Sequence, residues 1–336
     1  MSAMAPPLAL TMGEPAGIGG EIALKAWLEL RDDLPPFYLI DDPDRLAALA
    51  RRLDWPASIR PIDAPERAPL VFGDALPVVP IDMTVRAQPG RPDPGDAPAI
   101  LGAIQTAVRD VRNGRAAAVV TNPIHKDSLY RAGFHHPGHT EYLAELAGAG
   151  AAPVMMLVCP GLRVVPVTIH LALRRAIEAL SSAAIVHAGR ITDAALRRDF
   201  GAGSPVLAVA GLNPHAGEAG SLGREEIEII EPAVAELHAA GIDVRGPLPP
   251  DTMFHAEARS AYDAALCMYH DQALIPIKTI DFHRGVNVTL GLPFVRTSPD
   301  HGTALAIAGR GTARPDSLIA ALRLAAEMAA RRSGGS

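Results

Sequence analysis

Short apolar runs alternate along this chain with longer amphipathic segments. That alternation restricts it to an α/β fold on an at least partly parallel sheet. Leu8 to Met12 reads as a strand, Gly13 to Gly20 as a turn and Glu21 to Leu30 as a helix. Phe37 to Ile40 is a second strand. Ile100, Ile104, Val108 and Val111 share a helical face that Gly114 closes, and Ala117 to Thr121 follows as a strand. Val154 to Cys159 and Val164 to Ile169 are strands around a Pro160-Gly161 turn. Ser181 is placed to cap a helix that runs to Phe200, and Val206 to Leu212 is a buried strand. Ile227, Ile230, Val234 and Leu237 share a helical face, which Pro232 is expected to kink or split. Ala264 to Tyr269 is a strand, Ser317 to Ala330 a closing helix, and Arg331 to Ser336 a tail expected to fray. The Pro/Gly/Asp-rich residues 82–97 read as a surface excursion or a crossing between domains.

A length of 336 residues suits two domains or one large α/β unit. With 49% hydrophobic and 20% charged residues the balance is that of an ordinary globular protein. The formal net charge of -6 argues against a general nucleic-acid binder, which needs a basic surface. Cys159 and Cys267 lie in apolar runs and read as buried free thiols rather than a disulfide framework. No secretory signal and no uninterrupted membrane-length apolar run is visible, so a cytoplasmic location is expected.

The chemistry-bearing residues cluster at strand ends, where ligands of open α/β sheets bind. His170, His215 and His270 each follow a strand. They could converge on one divalent metal with a position left open for substrate, or be three unrelated hydrogen-bonded histidines. Gly13-Glu14-Pro15-Ala16-Gly17-Ile18-Gly19-Gly20 joins a strand to a helix, so its amides could face an anion. It lacks the dinucleotide pattern GxGxxG, and a tight turn explains it equally well. His301-Gly302-Thr303 lies in a polar loop that could wrap an adenosine or be a surface turn. Lys278, Asn287 and Arg296 would suit a phosphate dianion, although each alone reads equally as a solvated surface group. His139 and Thr140 add donors at a helix start, with Thr140 as the expected N-cap.

Taken in order, GEPAGIGGEI (Gly13 to Ile22), TNPIHK (Thr121 to Lys126), GHTEYLAE (Gly138 to Glu145), GLNPHAGE (Gly211 to Glu218), PLPPDT (Pro247 to Thr252), MYHDQ (Met268 to Gln272) and GVNVTLGLPFVRTSPDHGTA (Gly285 to Ala304) resemble the 4-hydroxythreonine-4-phosphate dehydrogenase family, PdxA. The resemblance runs from about Leu8 to Met328. Glu14 stands where the family commonly has Asp, and Ala273 where a Gly often follows the Gln.

The resemblance implies an isocitrate/isopropylmalate dehydrogenase-like fold, with two α/β/α domains and a cleft between them. Residues 1–125 with 285–336 would form the NAD-binding-type domain, and 126–284 the metal, substrate and dimerisation domain. It implies His170, His215 and His270 as metal ligands, one of them from the partner subunit of a homodimer, so that the active site lies at the subunit interface. His139, Thr140, Lys278, Asn287 and Arg296 would contact the phosphorylated substrate. Gly13, Gly17, Gly19, His301, Gly302 and Thr303 would bind NAD or NADP, and Asp251 or Lys278 would serve as base. The metal would be zinc, magnesium or cobalt. No nucleic acid and no membrane is expected as a partner. The implied activity is oxidation of 4-phosphohydroxy-L-threonine on the route to pyridoxal phosphate. A relative acting on 4-phospho-threonate or 4-phospho-erythronate is the nearest alternative, and an acyl- or phosphotransferase of related fold is the alternative of another class.

Overall fold

Apolar runs too short for a helix become strands covered on both faces, so no outward polar residue interrupts them. β1 (Leu8–Thr11) and β2 (Phe37–Asp41) are such runs, buried at every position. A computed structural model describes residues 5–136, 138–148, 150 and 152–334. The chain divides into two compact units, Met1–Pro153 with Leu292–Ala330 and Val154–Gly291 with Arg331–Ser336.

In the first unit, β1 and β2 are joined by β3 (Ile59–Pro61), β4 (Leu76–Pro80), β5 (Val119–Thr121) and β12 (Arg296–Pro299). The order is β3-β4-β2-β1-β5-β12, with parallel neighbours. Helix Ala97–Arg112 buries Ile100, Ala103, Ile104, Ala107 and Val108 on this sheet, the face anticipated from its periodicity. Helix His139–Ala147 adds Tyr142 and Leu143 to the same core. That shared core is why residues 126–153 fall in the first unit, although they were expected in the second. Residues 82–97 form a mostly exposed or half-buried surface segment that is pinned at a few points. Buried Asp96 accepts from Arg86 N and Ala87 N at 2.9 and 2.8 Å, and Gly90 N donates to Ala16 O at 2.8 Å.

The second unit contains β6 (Val154–Cys159), β7 (Leu162–Thr168), β8 (Val206–Ala210), β9 (Asp243–Leu248), β10 (Ala264–Tyr269) and β11 (Val286–Leu290). Their order is β11-β6-β7-β10-β8-β9. β11–β6 and β6–β7 are antiparallel, and the remaining pairs are parallel. The parallel strands bring the carboxyl ends of β7, β8 and β10, each followed by a histidine segment, to one edge of the sheet. Ser181 caps helix Ser182–Phe200 by accepting from Ala184 N. Pro232 splits its segment as expected: a π-helical turn, Glu226–Ile230, gives way to helix Glu231–Ala239. Proline then sits in a first turn, where its missing N–H is least costly.

The closing helix runs through Asp316–Gly334, which overturns the expected fraying of 331–334; residues 335–336 lie outside the described residues. The reason is Asp199, 1% exposed, which binds both Arg198 and Arg332, while Arg331 donates to Phe200 O. Cys159 and Cys267 are buried and free, and burial raises both thiols, Cys159 to about 11. No helix among the described residues is long and apolar enough to cross a membrane.

Candidate active site

In the first unit, the functional groups gather at the carboxyl ends of β1 and β5. Parallel pairing sets Arg296 beside Val119, and its long side chain reaches along β5 so that Nη2 donates to Thr121 Oγ1 at 2.7 Å. The guanidinium is buried, and burial lowers its pKa to about 10, with Glu141 acting in the opposite sense. Burial, then the field of Arg296, pushes His139 well below the usual imidazole range. His139 is therefore neutral at pH 7, and its Nε2 is buried with no hydrogen-bond partner among the described residues. A buried orphan nitrogen beside a buried cation is a site awaiting a hydrogen-bonding anion.

His139 is the first residue of helix His139–Ala147. The expected cap at Thr140 is not found: Gly138 is the N-cap, and no side chain caps the helix. A Cβ built on Gly138 would lie 3.0 Å from Glu141 Oε2 and 3.5 Å from Lys126 Nζ, so those side chains occupy the space a larger cap would need. Thr140 is thus a donor in the first turn beside uncapped amides. Lys126 belongs to the TNPIHK segment but was assigned no role. Only its approach to Gly138 in space marks it as part of this cationic cluster.

The glycine-rich turn and the His301-Gly302-Thr303 loop, far apart in the sequence, touch: Ile18 N donates to Thr303 O at 3.1 Å. A Cβ on Gly13 would lie 2.6 Å from Pro123 O, and one on Gly17 2.8 Å from Thr303 O. Close backbone packing thus requires both glycines, whatever the turn binds. Gly19 opens helix Gly19–Leu30, whose N-cap Ile18 provides no side-chain bond. The first amides of that helix remain available to a phosphate. Glu14 Oε1 accepts from Ala16 N at 3.1 Å, and burial raises its pKa.

In the second unit, His170 and His270 share a cavity of about 180 Å³ with Thr168, Leu173, Tyr269 and Asp271. Their ring centroids are 6.0 Å apart. His270 opens helix His270–Ile280, and its Nδ1 lies 2.7 Å from Asp271 Oδ1, which orients the ring and leaves Nε2 for a ligand. His215 lies on the turn after β8, the strand adjacent to β10. Asp251 is exposed on the turn Pro250–Thr252, which packs against the His215 turn. Among the described residues, no three metal-binding side chains form one closed group.

The backbone here is the surprise. His170 has φ 54°, and the turn from His215 to Ala219 is left-handed at every residue. Each non-glycine residue in that region costs about 1–2 kcal/mol, and such strain concentrates at functional sites. Lys278 lies in the last turn of helix His270–Ile280 with Nζ 5.2 Å from the Phe282 ring centroid, and Asn287 is half-buried in β11 with Oδ1 lacking a partner.

Comparison with known proteins shows the family of the chain as a whole. The family model described as pyridoxal phosphate biosynthetic protein PdxA matches residues 34–325. The chain is 58% identical to the 4-hydroxythreonine-4-phosphate dehydrogenase of Bradyrhizobium diazoefficiens, across 98% of this chain and 99% of that one. It is 55% identical to that of Caulobacter vibrioides, across 97% and 98%. The crystal structure of the Klebsiella pneumoniae 4-hydroxythreonine-4-phosphate dehydrogenase superposes with a TM-score of 0.87 at 38% identity, covering 96% of this chain and 99% of that one.

Proposed function

This chain belongs to the PdxA family, and from that premise and its site we propose how it works as an NAD-dependent dehydrogenase of pyridoxal phosphate biosynthesis. It oxidises 4-phosphohydroxy-L-threonine at C3. The product, 2-amino-3-oxo-4-phosphooxybutanoate, is a β-keto acid and loses carbon dioxide to give 3-amino-2-oxopropyl phosphate. The observation that carries the substrate's phosphate is buried Arg296 beside neutral His139, whose Nε2 is buried and without a partner among the described residues.

Arg296, His139, Thr140, Lys278 and Asn287 are the phosphate contacts that the family resemblance implies. They hold the reacting carbon in line, and fixed positioning is a large part of such catalysis. His170, His215 and His270 are the residues that hold a divalent metal. The donor set fits: imidazoles suit zinc and cobalt, and two of the three sit on strained turns. When bound there, such an ion supplies Lewis acidity that lowers the pKa of the substrate hydroxyl. Asp251 or Lys278 accepts the hydroxyl proton, directly or through water. The uncapped start of helix Gly19–Leu30 and the His301-Gly302-Thr303 loop are the residues that hold NAD.

The active form is a homodimer in which one histidine of each metal set comes from the partner subunit. Exposed apolar side chains support it: Leu171, Leu173, Ile275 and Phe282 are 49–68% exposed and flank the His170 and His270 segments.

The test is NADH formation at 340 nm with 4-phosphohydroxy-L-threonine, against 4-phospho-D-threonate and 4-phospho-D-erythronate, with and without EDTA. Metal-dependent turnover fastest on the threonine derivative is expected. Preference for either sugar acid would change the pathway, and no NADH from any of the three would overturn the reading.

A further inference from the structure

We propose that Gln272 is a positioning residue that fixes the strand ends carrying His215 and His270, each at the place from which it joins a metal set of the homodimer; this rests on the reading of His170, His215 and His270 as metal ligands. The regular ladder between β8 and β10 ends with Val209 opposite Leu266. Beyond it the two strands part, and the Gln272 carboxamide fills the gap. Its Oε1 accepts from Met268 N at 2.6 Å, and its Nε2 donates to Gly211 O at 2.8 Å. The side chain is buried and does the work of one peptide unit of an intervening strand.

The frame extends in both directions. Thr168 Oγ1 donates to Met268 O at 2.8 Å, tying in β7 two residues before His170. On the other side, Gly211 leads into Leu212 and Asn213, whose amides both donate to Glu226 Oε1, at 2.8 and 2.7 Å. Glu226 Oε2 accepts from Asn213 Nδ2 at 2.9 Å, and Glu226 is buried. Buried hydrogen bonds therefore run beneath all three histidine segments without using an imidazole. The two histidines on left-handed backbone need such support, because strained conformations persist only where the surroundings over-determine them. Among the described residues, Gln272 is the one side chain that joins the His270 strand to the segment leading into the His215 turn through both halves of its amide.

Any loss of a buried amide weakens a fold, so stability alone does not separate positioning from support. Ligand geometry does. Full-length protein freed of metal is titrated with Co²⁺ and followed by visible absorption and calorimetry, alongside a thermal melt. Gln272→Glu keeps the acceptor for Met268 N and replaces the donor to Gly211 O with a second acceptor. Gln272→Met removes both at similar volume. Co²⁺ affinity is expected to fall tenfold or more in each, with a changed d–d spectrum and wild-type secondary structure at 25 °C. Thr168→Val, which cuts one bond on the far side, covers the case in which neither folds; it shifts affinity about threefold in the same direction. Wild-type affinity and spectrum in the folded variants, even with a lowered melting temperature, would overturn the proposal. A wild-type protein with no Co²⁺ band, or a band unchanged in His170→Ala, would instead overturn the ligand assignment and the proposal with it.

Discussion

Buried Arg296 and half-buried His139 of the first unit stand on a strand and a regular helix, whereas His170 and His215 of the second unit stand on left-handed turns. The two regions hold their chemistry in place by different means. In the first, regular elements bring polar groups out of water, and desolvation prepares them for an anion. In the second, the backbone itself is forced into a rare conformation, and buried carboxamide and carboxylate groups hold it from below. The first kind of site stores its free energy in electrostatics, the second in torsions.

The comparison breaks most visibly at the strained turn. His215→Asn keeps a residue that tolerates left-handed backbone, so the fold should survive while a ligand is lost. Turnover should drop by more than about 10³-fold, the scale of several kcal/mol of lost Lewis-acid stabilisation. Steady-state rates at saturating metal and a thermal melt check both halves, and an active variant would remove His215 from the metal set. In the first unit, Arg296→Ala should act chiefly on KM for the phosphorylated substrate. Losing a charge-assisted contact is worth about 1.5–3 kcal/mol, roughly ten- to a hundredfold in kcat/KM. An unchanged KM would take Arg296 out of the phosphate site.

His139 sharpens the contrast through pH. Its folded pKa is depressed, so below pH 6.5 the unfolded chain takes up a proton that the native state refuses. Its contribution to stability is full above the unfolded value and declines as pH falls through it. His139→Gln should lose this acid sensitivity and gain on the wild type by about 1–2 kcal/mol between pH 7.5 and pH 5. Denaturant melts at the two pH values measure it, and parallel curves would show that His139 titrates normally. The smallest effect is expected at Lys126. Lys126→Met removes one cation at the edge of the cluster and should raise KM about threefold, in line with about 0.5–1 kcal/mol for an exposed charge. A change in kcat with no change in KM would place Lys126 outside phosphate binding.

These two regions were not equally legible in the sequence. The strand-then-histidine pattern at 170, 215 and 270 could be read because strands and their ends follow from local apolar runs. Gly13 and Thr303 could be named separately, but nothing local said that their segments touch. Gln272 escaped notice because its partner Gly211 lies 61 residues away, and a glutamine beside His-Asp reads as one more polar turn residue. Lys126 escaped because an exposed lysine at a helix start reads as a solvated surface group. β3, Ile59–Pro61, escaped because a three-residue strand with an arginine and a proline has neither length nor alternation. The left-handed run at 215–219 was invisible because Ala and Glu carry no signal for that conformation.

The turn after β1 also bears on how this chain can diverge. At Gly13 and Gly17 a single added methyl group would meet a backbone oxygen at 2.6 or 2.8 Å, and each oxygen belongs to a distant segment. No neighbouring side chain can be trimmed to make room, so one substitution cannot be rescued by one compensating change. Drift at these positions is closed unless two segments are rebuilt together. Glycine persisting there across lineages would record a geometric bottleneck in sequence space, and would say nothing on its own about which nucleotide the turn faces.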